Sequence, residues 1–265
     1  MDTQKNPNPA LFLSVIMPAL NEEENISLAI QDTLLAMEHF HIPGEIVVVN
    51  DGSSDATGKI AAEIIKPGPR GVRIITHAAP QGIGASFWDG VDSAKGNIVC
   101  LIPGDNEVAP LDLFRYFYLL ESVDMVIPFV FNKEVRLPWR NFISGLYKWI
   151  INTTFLISLN WTNGTVLYRK SLLSEITFRC RGFFYQTDIL VKLLKKGYLF
   201  AEAPYALRKR KAGRSKAINL KSFFQVLKSY LGLFRQIYLT ASHSHRDYVA
   251  DSLTYKRNQE LSVVP

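Results

Sequence analysis

The chain has 265 residues, of which 48% are hydrophobic and 20% charged. This composition excludes an intrinsically disordered chain, and the length allows one large domain or two small ones. The formal net charge of +6 favours anionic partners (phosphorylated ligands, nucleic acid or an anionic membrane surface) without choosing among them, and two cysteines with no Cys/His cluster exclude a disulfide framework and give no sign of zinc.

Strands and helices are predicted to alternate through the first half of the chain. Residues 1–10 are polar and rich in proline, with no apolar region typical of a signal peptide, so we expect an N-terminal extension and a cytosolic setting. Apolar runs at 11–17, 45–50, 72–77 and 97–102 are typical of buried strands, and helical stripes lie between them. This order predicts an α/β fold with a mainly parallel sheet, helices on both faces, and ligands at the carboxyl ends of the strands.

The second half of the chain is less regular. Strands are predicted at 125–131 and 199–207, a strand followed by a helix at 163–176, and a helix over 186–197. A basic run, a long helix over 219–239 and a polar tail after about residue 243 complete the chain, and we expect poor order in the tail.

The segment VVVNDGSSDATG places Asp51 directly after the second predicted strand. A carboxylate there can accept hydrogen bonds from a base or a ribose hydroxyl, while the amides of the turn lie close to phosphates. Turn and helix-cap chemistry explains the same residues, since Asp and Ser favour both positions. This segment alone leaves both interpretations open.

The glycines in PQGIGAS suggest a dinucleotide-binding loop, but their position argues against it. In a dehydrogenase the glycine motif follows the first strand, where this chain has PALNEEEN, with no glycine and several acids. A tight turn and close helix packing explain the glycines adequately.

The segment GDNEV places Asp105 and Glu107 two residues apart after the fourth predicted strand. Both carboxylates can reach one hard cation, such as Mg²⁺ or Mn²⁺, whose shell the phosphates of a substrate complete. The alternative is the capped start of a helix at 109–111 with both acids solvated.

The run RKRKAGRSK at 208–216 carries six basic residues in nine, a composition that suits phosphates. A solvated loop, a nuclear-localisation-like patch or a nucleic-acid patch are alternatives. No aromatic platform or recognition helix accompanies the run, so we expect no nucleic-acid partner.

Two segments suggest contact with a membrane. Residues 142–161 are apolar with one charge and are just long enough to span a bilayer, but polar residues interrupt them. The helix at 219–239 is basic and carries an apolar stripe that suits either a membrane interface or the domain core. The stripe consists of Leu220, Phe223, Phe224, Leu227, Leu231, Phe234 and Tyr238.

Together these segments resemble the family-2 glycosyltransferases, most closely the dolichyl-phosphate mannose synthase type, which loads a sugar onto a polyprenyl phosphate. The likeness covers roughly residues 12–235. LSVIMPALNEEENI resembles the opening strand of the family with its P-x-x-N-E segment, and VNDGSSDAT its D-D-G-S-x-D-x-T segment with Asn50 in place of the first Asp. GIGASFWDGVDSAKG resembles its glycine-bearing helix, and residues 183–216 an acidic residue followed by E-x-P and R-x-x-G-x-S-K.

The resemblance implies a GT-A fold and a nucleoside-diphosphate sugar donor, linked to GDP or UDP. We expect the catalytic domain at 11–218, an amphipathic, interfacial helix at 219–242 and a polar tail at 243–265. Carried over residue by residue, nucleotide-sugar binding falls on Pro18, Ala19, Asn21, Glu22, Asp51, Gly82, Gly84 and Asp105.

The family holds a divalent metal, Mg²⁺ or Mn²⁺, with a D-x-D segment from which this chain departs. Asp105 matches the second Asp, Pro103 stands at the first, and Glu107 stands where the mannose synthases have a Gln that also faces the metal. We therefore expect the metal at Asp105 and Glu107, with altered geometry.

The resemblance also implies the catalytic roles, which fall on Asp105, Asp188 and Arg210. Departure of the nucleoside diphosphate builds negative charge that the metal and basic side chains stabilise. A phosphate acceptor is already anionic and needs no strong base, whereas a hydroxyl acceptor would need Asp188 as its base. The acceptor phosphate is expected at Arg140, Arg210, Ser215 and Lys216, and the reaction is expected to invert the anomeric carbon.

The expected acceptor is a polyprenyl phosphate, which requires a protein on the cytosolic face of a membrane. Peripheral attachment or a membrane partner subunit would provide this, and a homo-oligomer is a further expected assembly. A soluble saccharide or another hydroxyl acceptor is the alternative within enzymes. Outside enzymes, the alternative is a basic membrane-surface or nucleic-acid-binding module.

Overall fold

The computed structural model describes residues 10–65, 71–135, 138–208, 220–240 and 247–262, without the side chains of 220–222. Within these ranges the strands form one sheet, made of β1 Leu13–Ala19, β2 Gly44–Asn50, β3 Val72–Thr76, β4 Ile98–Leu101, β5 Met125–Val130, β6 Leu167–Arg169 and β7 Phe200–Tyr205. The order across the sheet is β3-β2-β1-β4-β6-β5-β7. Strands β1 to β4 are parallel, β7 is parallel to β5, and β6 is antiparallel to both of its neighbours, so the predicted mainly parallel sheet is confirmed.

The helices lie mostly between strands, as the alternation predicted. They are α1 Ile26–His39, α2 Thr57–Ile65, α3 Ile83–Ser93, α4 Pro110–Phe114, α5 Pro138–Phe155, α6 Lys170–Ser174, α7 Tyr185–Lys196, α8 Leu220–Arg235 and α9 Leu253–Ser262. Short 3-10 turns at Phe117–Glu121 and Lys133–Val135, and a π-helical turn at Gln236–Thr240, complete the described elements.

Two hydrophobic layers lie on opposite faces of the sheet, because successive side chains of a strand point to opposite sides. On β1, Val15 and Met17 pack into one layer, which also holds residues of α1, α2 and α4, while Ile16 packs into the other. The second layer holds residues of α3, α5, α7 and α8. Helices therefore cover both faces, as expected for an open α/β sheet.

Helix α8 carries a second apolar stripe that the sequence analysis did not identify. Val226, Tyr230 and Leu233 of α8 pack against the core, together with Ile237 of the π-helical turn that follows, so the helix is anchored to the rest of the fold. The predicted stripe, from Phe223 onward, is exposed instead. Core packing therefore applies to one side of this helix, and the interfacial interpretation of the exposed side stays a prediction.

The prediction of poor order after residue 243 is wrong for residues 247–262. The buried carboxylate of Asp124, just before β5, accepts hydrogen bonds from the backbone N–H groups of Leu253 at 2.6 Å and Thr254 at 3.1 Å. These two amides open α9, so a carboxylate from another element caps its N-terminus. The polar sequence gave no sign of this contact.

The apolar segment predicted at 142–161 is a helix only as far as Phe155, and it begins earlier, at Pro138. Leu156 follows with a φ of 50°. The side chain of Asn152 then makes two hydrogen bonds with the backbone of Leu159, which closes the turn after the helix. Among the described residues, no helix combines the length and apolar character needed to cross a bilayer.

Candidate functional site

The acidic loop after β4 lies over the carboxyl end of β1. The N–H of Gly104 donates to Pro18 O at 3.0 Å, and a Cβ on Gly104 would lie 3.1 Å from the Cβ of Ala19. Glycine lets the loop approach β1 this closely without displacing its neighbours. Asp105 therefore follows directly at the edge of the sheet where ligands bind in open α/β folds.

Within this loop the Asp105 carboxylate accepts a hydrogen bond from the backbone N–H of Glu107 at 3.1 Å, and Asn106 between them has a φ of 57°. The turn places both carboxylates on the wall of one cavity. The helix-cap alternative is not realised, since α4 begins after Ala109 with no side-chain cap.

The cavity has a volume of about 690 Å³, large enough for a sugar phosphate. Its polar wall includes Asp105, Glu107 and Arg140. Most of the remaining wall is apolar or aromatic, with Leu101, Val108, Tyr147, Phe183, Tyr185 and Tyr205 among the lining residues. The residues predicted to bind the metal and the arginine predicted to bind the acceptor therefore line the same cavity.

Helix α5 forms one side of this cavity. Arg140, Ile143, Ser144 and Tyr147 line it, and their spacing of three, four and seven residues places them on one face of the helix. From α8, Phe223 and Val226 line the cavity as well. The spacing on α5 was visible in the sequence, but nothing there indicated that this face borders the site.

The outer sides of α5 and α8 form what we call the apolar face. It comprises the exposed side chains of Trp139, Phe142, Leu146, Trp149 and Ile150 on α5, and of Phe223, Phe224, Leu227, Leu231 and Phe234 on α8. Phe142 is 74% and Trp149 63% exposed. The Thr154 hydroxyl of α5 shares a hydrogen bond with the Tyr230 hydroxyl of α8 at 2.8 Å, and the Tyr238 hydroxyl of the following π-helical turn donates to the Thr154 carbonyl oxygen at 2.7 Å. These bonds hold the two helices together.

The residues predicted to bind the nucleotide after β1 link two loops to each other. The Asn21 side chain accepts from the Ser54 N–H at 2.8 Å, and the Glu22 N–H donates to Thr57 Oγ1 at 2.7 Å. Asn21 has a φ of 53°. Pro18, Ala19, Asn21 and Glu22 lie beside the acidic loop but are not among the residues that line the cavity.

Asp51 is buried, and its carboxylate closes the loop between β3 and α3. It accepts from the N–H groups of Gln81 at 2.8 Å and Gly82 at 2.9 Å, and it contacts His77 Nδ1 at 2.8 Å. His77 Nε2 lies 3.2 Å from Asp89 of α3. The sequence analysis did not identify His77, and the predicted contact of Asp51 with a base or ribose stays a prediction.

The two glycines of PQGIGAS have structural reasons, as the turn interpretation predicted. Gly82 has a φ of 100°, a conformation that favours glycine. A Cβ on Gly84 would lie 2.6 Å from the backbone of Arg181 and of Gly182, so the helix start packs directly on that loop. Neither glycine lines the cavity, whereas Ile83 between them does.

Asp188, the predicted base for a hydroxyl acceptor, is buried in α7 and is not a lining residue of the cavity. Burial raises the pKa of its carboxyl, and the ammonium group of Lys192, 2.8 Å away, opposes that rise. Glu202 of the matched E-x-P segment receives two hydrogen bonds from Asn160, at 2.7 and 2.9 Å, and so ties the loop before β6 to β7.

The basic run begins beside the acidic loop. The Arg208 N–H donates to Glu107 O at 2.9 Å, and the Arg208 guanidinium pairs with Asp32 of α1. The predicted phosphate-binding residues Arg210, Ser215 and Lys216 lie outside the described residues.

The donor set on the cavity wall fits a hard divalent cation only in part. Among the described residues, no group of three or more His, Cys, Asp or Glu side chains could hold a metal ion. Two neighbouring carboxylates are, however, the protein share of a Mg²⁺ or Mn²⁺ site in which phosphate oxygens complete the shell. Asp105 and Glu107 meet that description.

Comparison with known proteins places these features in a family. The model of "Glycosyl transferase family 2" matches residues 14–189, more than half of the chain. A polyprenol monophosphomannose synthase of Mycolicibacterium smegmatis is 29% identical over 220 residues, which cover 76% of this chain and 79% of that protein. A dodecaprenyl-phosphate galacturonate synthase of Rhizobium johnstonii is 25% identical over 174 residues, covering 64% of this chain and 52% of that protein.

Solved structures resemble the fold. Glucosyl-3-phosphoglycerate synthase from Mycobacterium tuberculosis, in complex with Mn²⁺, UDP and glucosyl-3-phosphoglycerate, has a TM-score of 0.62 at 20% identity, covering 84% of this chain and 80% of that one. The same enzyme with Mg²⁺ and UDP gives a TM-score of 0.62 at 18% identity, with 84% and 79% covered. At these identities the likeness concerns the fold alone.

Proposed function

The chain belongs to glycosyltransferase family 2 and has the GT-A fold, and from that premise we propose that it transfers a sugar from a nucleoside diphosphate to a polyprenyl phosphate at a membrane surface. One observation carries the proposal. A cavity with two carboxylates and an arginine on its wall is bordered by the same two helices that carry the apolar face.

The diphosphate of the donor belongs at the acidic loop. Asp105 and Glu107 would hold Mg²⁺ or Mn²⁺ there together with the phosphate oxygens, and the bound metal supplies charge stabilisation as the sugar leaves. The nucleotide then extends over the loops after β1, β2 and β3, where the predicted binding residues lie next to the cavity. The complexes of the structural relatives with UDP and Mn²⁺ or Mg²⁺ support this arrangement.

Arg140 supports an anionic acceptor. Arg140 lines the cavity that holds the acidic loop, and a guanidinium binds phosphate oxygens in a fixed fork geometry. A polyprenyl phosphate attacks through an oxygen that is already charged. It therefore needs no general base, in agreement with an Asp188 that is paired with Lys192 and is not a lining residue. The names of both sequence relatives support this acceptor class.

The apolar face supports contact with a lipid bilayer. Ten large apolar side chains are exposed on two helices, and exposed apolar surface of this kind marks interaction sites. The basic residues Lys148, Lys228 and Arg235 lie on the same helices. Apolar side chains with flanking cations suit an anionic membrane interface. We propose that this face rests on anionic lipid, so that the acceptor reaches Arg140 from the bilayer.

Nucleotide binding tests the donor part of the proposal. UDP or GDP with Mn²⁺ is expected to raise the melting temperature, since a ligand at one hundred times its Kd stabilises the fold by about 2.7 kcal/mol. If neither nucleotide shifts the melting temperature with Mn²⁺ or Mg²⁺, the transferase assignment to this cavity fails.

Vesicle flotation tests the membrane part. The protein is expected to float with vesicles that contain anionic lipid, and less with neutral vesicles. The Phe142→Ser and Trp149→Ser substitutions together should weaken binding by at least about tenfold, because burying one aromatic side chain contributes about 1.5–3 kcal/mol. The matched control is Tyr118→Ser, since Tyr118 is 62% exposed but lies on a different element. Equal flotation of the wild type, the double variant and the control would contradict membrane contact through the apolar face.

The remaining predictions belong to this proposal as well. They are the catalytic domain at 11–218 with an interfacial segment at 219–242, the position on the cytosolic face, and inversion at the anomeric carbon. The anchoring of α8 on the core supports one body in which the interfacial segment is fixed to the catalytic domain. A membrane partner subunit and a homo-oligomer stay predictions.

A further inference from the structure

A second polar cluster lies on the cavity wall, contributed by elements other than the acidic loop. The Tyr147 hydroxyl of α5 lies 2.8 Å from Thr187 Oγ1 of α7. Thr187 Oγ1 in turn lies 3.0 Å from Asn163 Oδ1, on the loop before β6. Tyr147 and Asn163 line the cavity, and Thr187 is fully buried. None of the roles assigned so far uses these three side chains.

The chemistry of the three groups fixes the direction of their hydrogen bonds. The single hydroxyl proton of Thr187 faces two acceptors, Asn163 Oδ1 at 3.0 Å and the Thr162 carbonyl at 3.3 Å. The Tyr147 O–H must then donate to Thr187 Oγ1. Burial raises the pKa of Tyr147, although hydrogen bonds with Thr187 and Asn163 oppose the rise, so the phenol keeps the proton that it donates.

This direction leaves Asn163 with a defined role. Its oxygen is engaged by Thr187, and its hydrogen bond with Tyr147 occupies at most one of the two amide N–H groups. The side chain is exposed on the cavity wall, so an N–H group is available to a ligand there. A neutral amide N–H is a poor match for a phosphate beside Arg140, but it matches a sugar hydroxyl well.

We propose that Asn163 donates a hydrogen bond to a hydroxyl of the donor sugar, with Thr187 and Tyr147 as positioning residues. This rests on the proposed function, in which the diphosphate lies at Asp105 and Glu107 and the attached sugar must occupy the same cavity. A site arranged to hydrogen-bond a hydroxyl discriminates against the sugar that lacks it. Asn163 therefore contributes to the choice of donor sugar and not to nucleotide binding.

The test compares affinities for a nucleoside diphosphate and for the corresponding nucleotide sugar, both with Mn²⁺, using the sugar that the wild type transfers. Asn163→Ala is expected to weaken binding of the nucleotide sugar by about tenfold and to leave binding of the diphosphate unchanged. Asn163→Asp keeps an oxygen for Thr187 but has no N–H to donate. Its added charge weakens the binding of both ligands. The ratio of the affinity for the nucleotide sugar to the affinity for the diphosphate is expected to fall as in Asn163→Ala.

Positioning is tested separately through Thr187. Thr187→Val removes the hydroxyl and is expected to lower the affinity ratio in part, whereas Thr187→Ser keeps the hydroxyl and should restore it. Asn163 is exposed, so its variants should lose no more than the hydrogen bond with Thr187, about 1 kcal/mol, and should stay folded. The test therefore does not depend on whether Thr187→Val folds.

The outcomes separate this inference from the proposed function. A wild type that transfers sugar, together with Asn163→Ala and Asn163→Asp proteins that keep the wild-type ratio, would overturn the role of Asn163 alone. A wild type that binds no nucleotide sugar would overturn the proposed function and this inference together.

Discussion

The acidic loop makes two separate contributions that substitutions at Asp105 can distinguish. One is local and structural, since a carboxylate oxygen accepts from the Glu107 N–H at 3.1 Å. The other follows from the proposed function, in which the negative charge of Asp105 faces the metal and the diphosphate of the donor. Asp105→Asn keeps an oxygen for the hydrogen bond and removes the charge, whereas Asp105→Ala removes both.

These differences give the expected magnitudes. Asp105→Ala should be less stable than Asp105→Asn by about 1 kcal/mol, the usual net contribution of one hydrogen bond. Both should lose about 10²–10³-fold in turnover, as expected when a group that stabilises developing charge is removed. Glu107→Gln should lose turnover similarly, because Glu107 is the second carboxylate that we propose as a metal ligand.

The assay measures turnover against Mn²⁺ concentration, with stability from urea denaturation. Asp112→Asn is the matched control, since Asp112 lies in the next helix and does not line the cavity. It should keep wild-type turnover. An Asp105→Asn enzyme that stays within about threefold of the wild type would refute the metal assignment.

Three further predictions concern the fold. Gly84→Ala should destabilise by about 1–3 kcal/mol, because its Cβ would lie 2.6 Å from backbone atoms, whereas Gly182→Ala, with nothing within 4 Å, should leave the melting temperature unchanged. Asp124→Ala should lower the free energy of unfolding by about 3–5 kcal/mol, because it leaves the buried Arg169 without its carboxylate partner. It also removes the cap of α9 and should expose residues 247–262 to limited proteolysis. A variant as resistant to protease as the wild type would contradict this. Burial raises the pKa of Glu45, but hydrogen bonds outweigh it and lower the pKa below 4.5, so the stability it contributes is present above that pH and is lost as the pH falls through the lowered value. In Glu45→Gln the urea midpoint should depend less on pH in that acidic range. A variant whose urea midpoint falls with pH as steeply as that of the wild type would count against this.

Much of the fold could be predicted because its signals are periodic. The runs around Val15 and Val48 are largely apolar and belong to strands covered on both sides, so their assignment needed no tertiary information. The order of the strands and the antiparallel β6 could not be predicted, since they depend on long-range pairing. The ordered α9 was missed for the same reason, because Asp124 lies 129 residues before the Leu253 amide that it caps.

The candidate site shows the same division. Asp105 and Glu107 could be identified because a strand ends directly before them and their spacing suits a cation. Asn163 and Tyr147 could not, since their hydrogen bonds to Thr187 join three elements across 24 and 40 residues. Asp51 is a mixed case. Its position directly after β2 could be predicted, but its observed partners, among them His77, lie after β3 and could not.

The central claim is that a metal-bound donor and a lipid phosphate react in one cavity, and sugar transfer into lipid tests it most directly. Labelled nucleotide sugars are incubated with the protein, Mn²⁺ and vesicles that contain a short-chain polyprenyl phosphate. The lipid is then extracted into organic solvent, and its mass is measured by mass spectrometry. We predict label in the organic phase, as a polyprenyl phosphate heavier by one glycosyl unit, dependent on Mn²⁺ and reduced by about 10²–10³-fold in Asp105→Asn. Donor that is consumed with a soluble saccharide, while the label stays entirely aqueous, would contradict the account.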